Sequence, residues 1–164
     1  MATPTTLPAT FTAGQVLTAA QMNDLRGAFR VLQVVQTVYN TATTSTSASY
    51  VTTGLNATIT PSATSSKILV MVAGTARNHA AASEGTWSLF RGTVAGTNLA
   101  TNASGFLRVF PAVLVGLAIN YLDSPSTTSA QTYTLGMKAE SGGQSVTWCQ
   151  ADTTSTMILM EISA

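Results

Sequence analysis

Thr156-Met-Ile-Leu-Met-Glu-Ile162, near the end of the sequence, is the stretch on which the fold turns. Met157 to Met160 are apolar without a break and Ile162 follows, so no polar face is left. A run this short, between Thr and Ser, predicts a strand buried on both sides rather than a helix. Chain ends fray unless a sheet or a docked helix holds them. A segment this apolar at the end of a sequence is therefore expected in the core, with the other elements assembled around it.

Composition supports a β-rich reading. The chain has 164 residues, of which 45% are hydrophobic and only 8% charged. An ordinary soluble domain carries about 25% charged residues. Here the polarity comes from Thr and Ser, which exceed about a quarter of the chain. Thr is β-branched and suits solvent-facing strand positions. One domain of this length can bury roughly 68–70% of its unfolded surface. The seven basic residues are scattered singly and the net charge is +1, which argues against nucleic-acid binding. So small a net charge leaves little repulsion between copies, as suits an associating subunit. The single cysteine, Cys149, excludes an intrachain disulfide framework. No signal peptide and no membrane-spanning apolar run is read in the sequence, so no membrane insertion is expected.

Along the chain, residues 1–30 read as an anchoring segment and 31–164 as the β domain. Residues 1–16 are rich in Thr and Pro and look extended. Thr18 and Gln21 then form a capping box, and Leu17 and Met22 a hydrophobic staple. Met22, Leu25 and Phe29 share a face at helical spacing, and Gly27 ends or bends the helix. About two turns cannot hold alone in water, so this face must dock on something.

Arg30–Tyr39, partly apolar in both alternating sets, reads as a strand covered on both faces and a neighbour for the terminal strand. Thr41–Ser49 reads as a loop. Tyr50–Thr60 reads as one or two strands split near Gly54 and stopped by Pro61. Strands follow at Lys67–Thr75 and Thr86–Arg91, and a weak one at Leu99–Thr101. Pro111 cannot donate to a ladder, so the apolar stretch from Phe106 splits into a short piece and a strand from about Ala112 to Tyr121. Gln131–Glu140 is a strand, Ser141-Gly-Gly143 a hairpin turn signal, and Val146–Gln150 a last piece before the terminal strand. Eight to ten strands at near-regular spacing imply a β-sandwich or jelly roll.

Candidate chemistry is sparse. His79 is the one histidine, and the six carboxylates show no metal-loop spacing. His79 reads as a solvated loop residue. Cys149, in Val146-Thr-Trp-Cys-Gln150, reads as a small buried apolar residue rather than a nucleophile. Met157 and Met160 read as core. Trp87, Tyr50, Tyr121, Tyr133 and Trp148 could stack on a host-surface glycan, but on strands they fit core or subunit contacts better. No phosphate loop, nucleophile elbow or zinc-protease motif is present. No enzyme and no cofactor is expected.

Two regions carry a resemblance. Thr10-Phe-Thr-Ala-Gly-Gln-Val-Leu-Thr-Ala-Ala-Gln-Met-Asn23 resembles an N-terminal signature of tailed-bacteriophage structural proteins, found in minor tail and fibre-like chains. Gln36-Thr-Val-Tyr39, Ile59-Thr-Pro-Ser-Ala-Thr-Ser-Ser-Lys-Ile-Leu-Val70, Tyr121–Tyr133 and the ending at Ile162 resemble a β-rich domain of phage virion proteins. The resemblance implies a jelly roll of the tumour-necrosis-factor type, a homotrimer and a place on the virion surface. It carries over no catalytic residues. A fibre shaft would show heptads or β-repeats, and none fits between Arg30 and Val31. The leading expectation is a capsid decoration (cement) protein held on the major capsid protein by Phe11, Leu17, Met22 and Leu25. The alternative is a tail-fibre or tail-tip receptor-binding protein, partnered by tail proteins and a host surface.

Overall fold

In the computed structural model, residues 16, 18, 19, 30–79, 84–102, 105–110, 112–141 and 143–163 are described. They form two antiparallel sheets. The first contains β1 (Val31–Tyr39), β2 (Thr43–Ser45), β4 (Lys67–Asn78), β8 (Val113–Asp123), β10 (Val146–Trp148) and β11 (Ser155–Ile162). The second contains β3 (Val51–Ile59), β5 (Gly85–Arg91), β6 (Thr97–Asn98), β7 (Leu107–Val109) and β9 (Gln131–Ala139). The expected helix lies outside the described residues except for Thr18 and Ala19.

The long strand β4 organises the first sheet. β8 pairs with it from Ile68 to Asn78 along one edge. Its other edge is shared: β11 takes Lys67–Ala73 and β10 takes Ala76–Asn78. Outside these, β1 pairs with β11 and β2 with β10. The first sheet is thus four strands wide, β8-β4-β11-β1 in one half and β8-β4-β10-β2 in the other. The second runs β3-β9-β5, with β7 and β6 one after the other along the far edge of β5.

Inward side chains of both sheets make one core. Ile68, Val70 and Val72 of β4, with Met157 and Leu159 of β11, meet Leu55, Trp87, Tyr133, Leu135 and Met137 of the second sheet. Each fully buried Leu contributes roughly 1.5–3 kcal/mol relative to exposure. The terminal strand is central, as its sequence predicts, and its neighbour is β1. Among the described residues, however, it is covered on one side only. Ser155, Met157, Leu159 and Glu161 are buried, while Thr156, Ile158, Met160 and Ile162 alternate with them and stay partly exposed. The same correction applies to β1, whose Leu32, Val34 and Val38 face outward and are exposed. Runs of apolar residues report two apolar faces, but not what covers the second.

Other boundaries moved for local reasons. Gly54 does not split the strand. It sits at φ +91° in a bulge within one continuous β3, between Thr52 and Asn56. The hydroxyl-rich stretch 41–49 contains β2, whose Thr44 side chain bonds Thr147 across the sheet at 2.8 Å. The expected weak strand at Leu99 falls two residues earlier, as β6. Strands β7 and β8 lie on either side of position 111, as the proline requires. Ser141-Gly-Gly143 is no hairpin turn, because β9 and β10 belong to different sheets and the segment between them crosses the sandwich.

Candidate association surface

The outward positions of β1, β11, β4 and β8 follow from strand alternation. Cross-strand register lines them up in rows. One row runs Val34, Met160, Leu69, Leu122 and is apolar on all four strands. The next runs Gln36, Ile158, Met71, Asn120, and a third Val38, Thr156, Ala73, Ala118. Val34 is 54% exposed and Leu122 48%, so the open ends of the first row stand in solvent. Leu32 and Leu114 extend the surface at opposite corners. The charges on these four strands' outward positions are Lys67 and Arg77, at the two ends of β4; no carboxylate joins them. Beyond the third row, Thr153 Oγ1 lies 2.8 Å from Thr75 Oγ1, and Gln150 N donates to the same hydroxyl. The segment between β10 and β11 therefore covers β4 there and bounds the aliphatic area.

The second sheet's outward face is of another kind. Thr58 and Thr132 hydroxyls bond at 2.7 Å, Thr134 donates to Gly92 O, and Ser88 donates to Asn98 Oδ1. Thr86 donates to Glu140, which also pairs with Lys138 at 3.2 Å. The Glu140 carboxyl is held below its ordinary range, first by the Thr86 hydrogen bond and then by Lys138, against the effect of burial. Glu84 pairs with Arg108 nearby. Phe90 is covered by the Tyr50 ring, edge-on at 5.0 Å between centroids.

Two buried polar clusters tie strands together. Glu161, fully buried, accepts from Gln33 Nε2 at 2.6 Å and from Ser62 N and Oγ at 2.7 and 2.6 Å. Burial pushes its carboxyl up, but hydrogen bonds from Ser62, Ser66 and Gln33 outweigh this and hold it below the ordinary range. Asp123 receives Arg91 through two bonds, 2.8 and 2.6 Å, and the Tyr133 hydroxyl at 2.7 Å. Desolvation and then the Asp123 bond push the Tyr133 hydroxyl well above the usual phenol range. The first cluster joins β1, β11 and the segment after β3, and the second joins β5, β8 and β9.

The residues singled out from sequence are dispersed. His79 is exposed just past β4, with Nε2 2.9 Å from Thr147 Oγ1. Desolvation and the Arg77 charge lower its pKa. Cys149 is buried, as expected of a small apolar side chain, but at φ +55° it lies beyond the end of β10. Its sulfur lies 3.3 Å from both Tyr39 O and Thr153 O, either of which can accept its one proton. Trp87, Trp148 and Tyr133 are core residues with no exposed ring. Met157 is core too, whereas Met160 is on the outward row. Phe11, Leu17, Met22 and Leu25 lie outside the described residues. Among the described residues, no three His, Cys, Asp or Glu side chains come together, and no helix is long and apolar enough to cross a membrane.

Sequence reading missed Glu161 as a buried acceptor. The available signal was one carboxylate inside the most apolar strand, which can be tolerated there only with several donors. No protein-family model matches the chain, and no curated protein matches it.

Proposed function

We propose that this chain is a non-enzymatic structural protein of a tailed-bacteriophage virion. It is a homotrimeric capsid decoration protein on the particle surface, held to the major capsid protein through residues 1–30. The observation that carries the reading is the aliphatic outward face of the first sheet. A subunit whose first sheet presents aliphatic rows free of charge suits association with another surface.

The strand order supports a jelly roll of the tumour-necrosis-factor type. Along the chain β1, β3, β4, β5, β7, β8, β9 and β11 change sheet at every step except β5 to β7, as the strands of two Greek keys do. The resemblance of residues 10–23 and of the β domain to phage virion proteins points the same way. Geometry also suits an anchoring role for the N-terminal segment. Ser163 N donates to Arg30 O at 2.9 Å, so the segment leaves from the pole where β11 ends. His79 and the start of β10 are at the opposite pole, which would face away from the shell.

Localisation in intact particles tests the reading. Tens to hundreds of copies on the shell support decoration, whereas a few copies at the tail would replace it with the tail-fibre or receptor-binding reading. Deleting residues 1–29 stops short of β1 and is expected to leave a folded trimer that no longer attaches. Attachment without those residues would refute the anchoring role of Phe11, Leu17, Met22 and Leu25.

A further inference from the structure

We infer that Arg77 and His79, with the hydroxyls of Thr147 and Thr44, form a binding site for a tetrahedral oxyanion of the sulfate or phosphate type. The site lies at the His79 pole of the first sheet and does not depend on the virion reading above.

Strand pairing builds it. Leu114, Arg77, Thr147 and Thr44 are cross-strand partners in one row over β8, β4, β10 and β2. His79 follows two residues after Arg77, about 7 Å along the strand direction. Its backbone N–H donates to Ser145 O at 2.9 Å, which fixes it beside β10. Its Nε2 lies 2.9 Å from Thr147 Oγ1, which in turn lies 2.8 Å from Thr44 Oγ1. Thr147 is buried, whereas His79 and Thr44 are exposed. With Nε2 engaged by Thr147, protonation of the imidazole leaves Nδ1 as a second N–H donor.

Charge accounting gives the sign of the ligand. Arg77 is partly buried, and its Nε is buried with no hydrogen-bond partner among the described residues. Glu84, Glu140 and Asp123 are paired with Arg108, Lys138 and Arg91. Glu161 is held by Gln33 and Ser62, and Asp152 is exposed and in no ion pair among the described residues. Asp24, the one carboxylate side chain outside the described residues, precedes Arg30, which bonds to Ser163 at the opposite pole. Ala80-Ala-Ala-Ser83, which follow His79, bring no charge. Two basic groups thus stand together, and desolvation and then the Arg77 charge lower the His79 pKa. A cation drawn partly out of water is costly without a partner. A guanidinium meets an oxyanion through two parallel hydrogen bonds, and an anion there would offset the repulsion between Arg77 and His79. The basic residues are otherwise scattered, so the ligand is a single oxyanion group and not a nucleic-acid backbone.

NMR of the full chain tests the site, because His79 is the one histidine and its imidazole signals are read directly. The pH is titrated in sodium sulfate and in sodium chloride at equal ionic strength. Sulfate keeps both charges throughout the histidine range, so the protein alone titrates. Sulfate is expected to raise the His79 pKa saturably by about one pH unit, which means binding about tenfold tighter to the protonated imidazole. Chloride is expected to have no such effect. Arg77→Gln should abolish the sulfate response and raise the His79 pKa in chloride, because the repelling charge is gone. Lys67→Gln, at the other end of β4, should respond as the wild type does. Equal responses to the two salts would overturn the site, as would a full sulfate response in folded Arg77→Gln. If that variant misfolds, Arg77→Lys carries the arm: sulfate affinity should fall about tenfold with the loss of the planar fork, and unchanged affinity would overturn the assignment. Dextran sulfate identifies the source of the group. Saturation at a lower sulfate-group concentration marks a polymer-borne anion, an equal response per group marks a free ion, and no response to either form overturns the site.

Discussion

The two outer faces of the sandwich solve the same problem in opposite ways. The second sheet turns hydroxyls and charges outward and bonds them to one another, as in Thr58–Thr132 and Thr86–Glu140–Lys138. Its one large apolar outward residue, Phe90, is covered by Tyr50 of the same chain. The first sheet turns Val34, Met160, Leu69 and Leu122 outward in a row, and nothing among the described residues covers the row's two ends. Backbone geometry is alike in both. The difference lies in side-chain polarity at alternate positions, and it separates a polar, internally bonded face from an aliphatic one left open among the described residues.

The largest expected effect comes from reversing sides within β11. Leu159→Asp places an unpaired carboxylate in the core and should cost roughly 4 kcal/mol or more. Chemical denaturation would then show an unfolded or barely folded chain. Met160→Asp, one residue on, should leave the monomer fold intact and act on association. Equal destabilisation by the two would mean that the outward side is core after all.

Next in size is Glu161. Glu161→Ala strands the donors of Gln33 and Ser62 and should cost about 3 kcal/mol. Its pH dependence follows from the depressed carboxyl. Because the folded value lies below the unfolded one, about 4.3, the contribution is fully present above that pH. It is lost as the pH falls through the folded value. Thermal melts from pH 6 to pH 3 should show a drop in the wild type that is smaller in Glu161→Gln. Parallel curves would place the acid sensitivity elsewhere.

Gly54 probes the contact between β3 of one sheet and β1 of the other. Its φ of +91° disfavours any side chain, and a Cβ would run into the Tyr39 ring, whose hydroxyl is bonded to Thr43 at 2.7 Å. Gly54→Ala should cost about 1–3 kcal/mol in equilibrium denaturation, and no loss would mean that β3 re-forms without its bulge. The smallest effect belongs to the polar face. Thr58→Ala removes one exposed hydroxyl pair and should cost about 0.5 kcal/mol, with oligomeric state unchanged by sedimentation.

How much of this was legible beforehand depended on the range of the interactions. Strand positions and the central place of Thr156–Ile162 followed from local apolar pattern, and the break at Pro111 from backbone chemistry. The sheet assignment of β10 did not, because Ser141-Gly-Gly143 has hairpin composition wherever it leads. Glu161's donors come from Gln33 and Ser62, 128 and 99 residues away in sequence, beyond any local rule. Pattern also could not separate Met157 from Met160. Both are methionines in one apolar run, and only pairing with β4 and β1 assigns one to the core and the other to the outer row.

That pair offers the most direct measurement. Methionine oxidation footprinting of the wild-type assembly, read by peptide mass spectrometry, compares Met71 and Met160 on the outer face with Met137 and Met157 in the core. All four should be protected in the wild type, and only Met71 and Met160 should become reactive in Val34→Asp. Rapid oxidation of Met71 and Met160 in the wild type, with Met157 still protected, would show a folded sandwich whose outer face no copy covers, and would contradict the account.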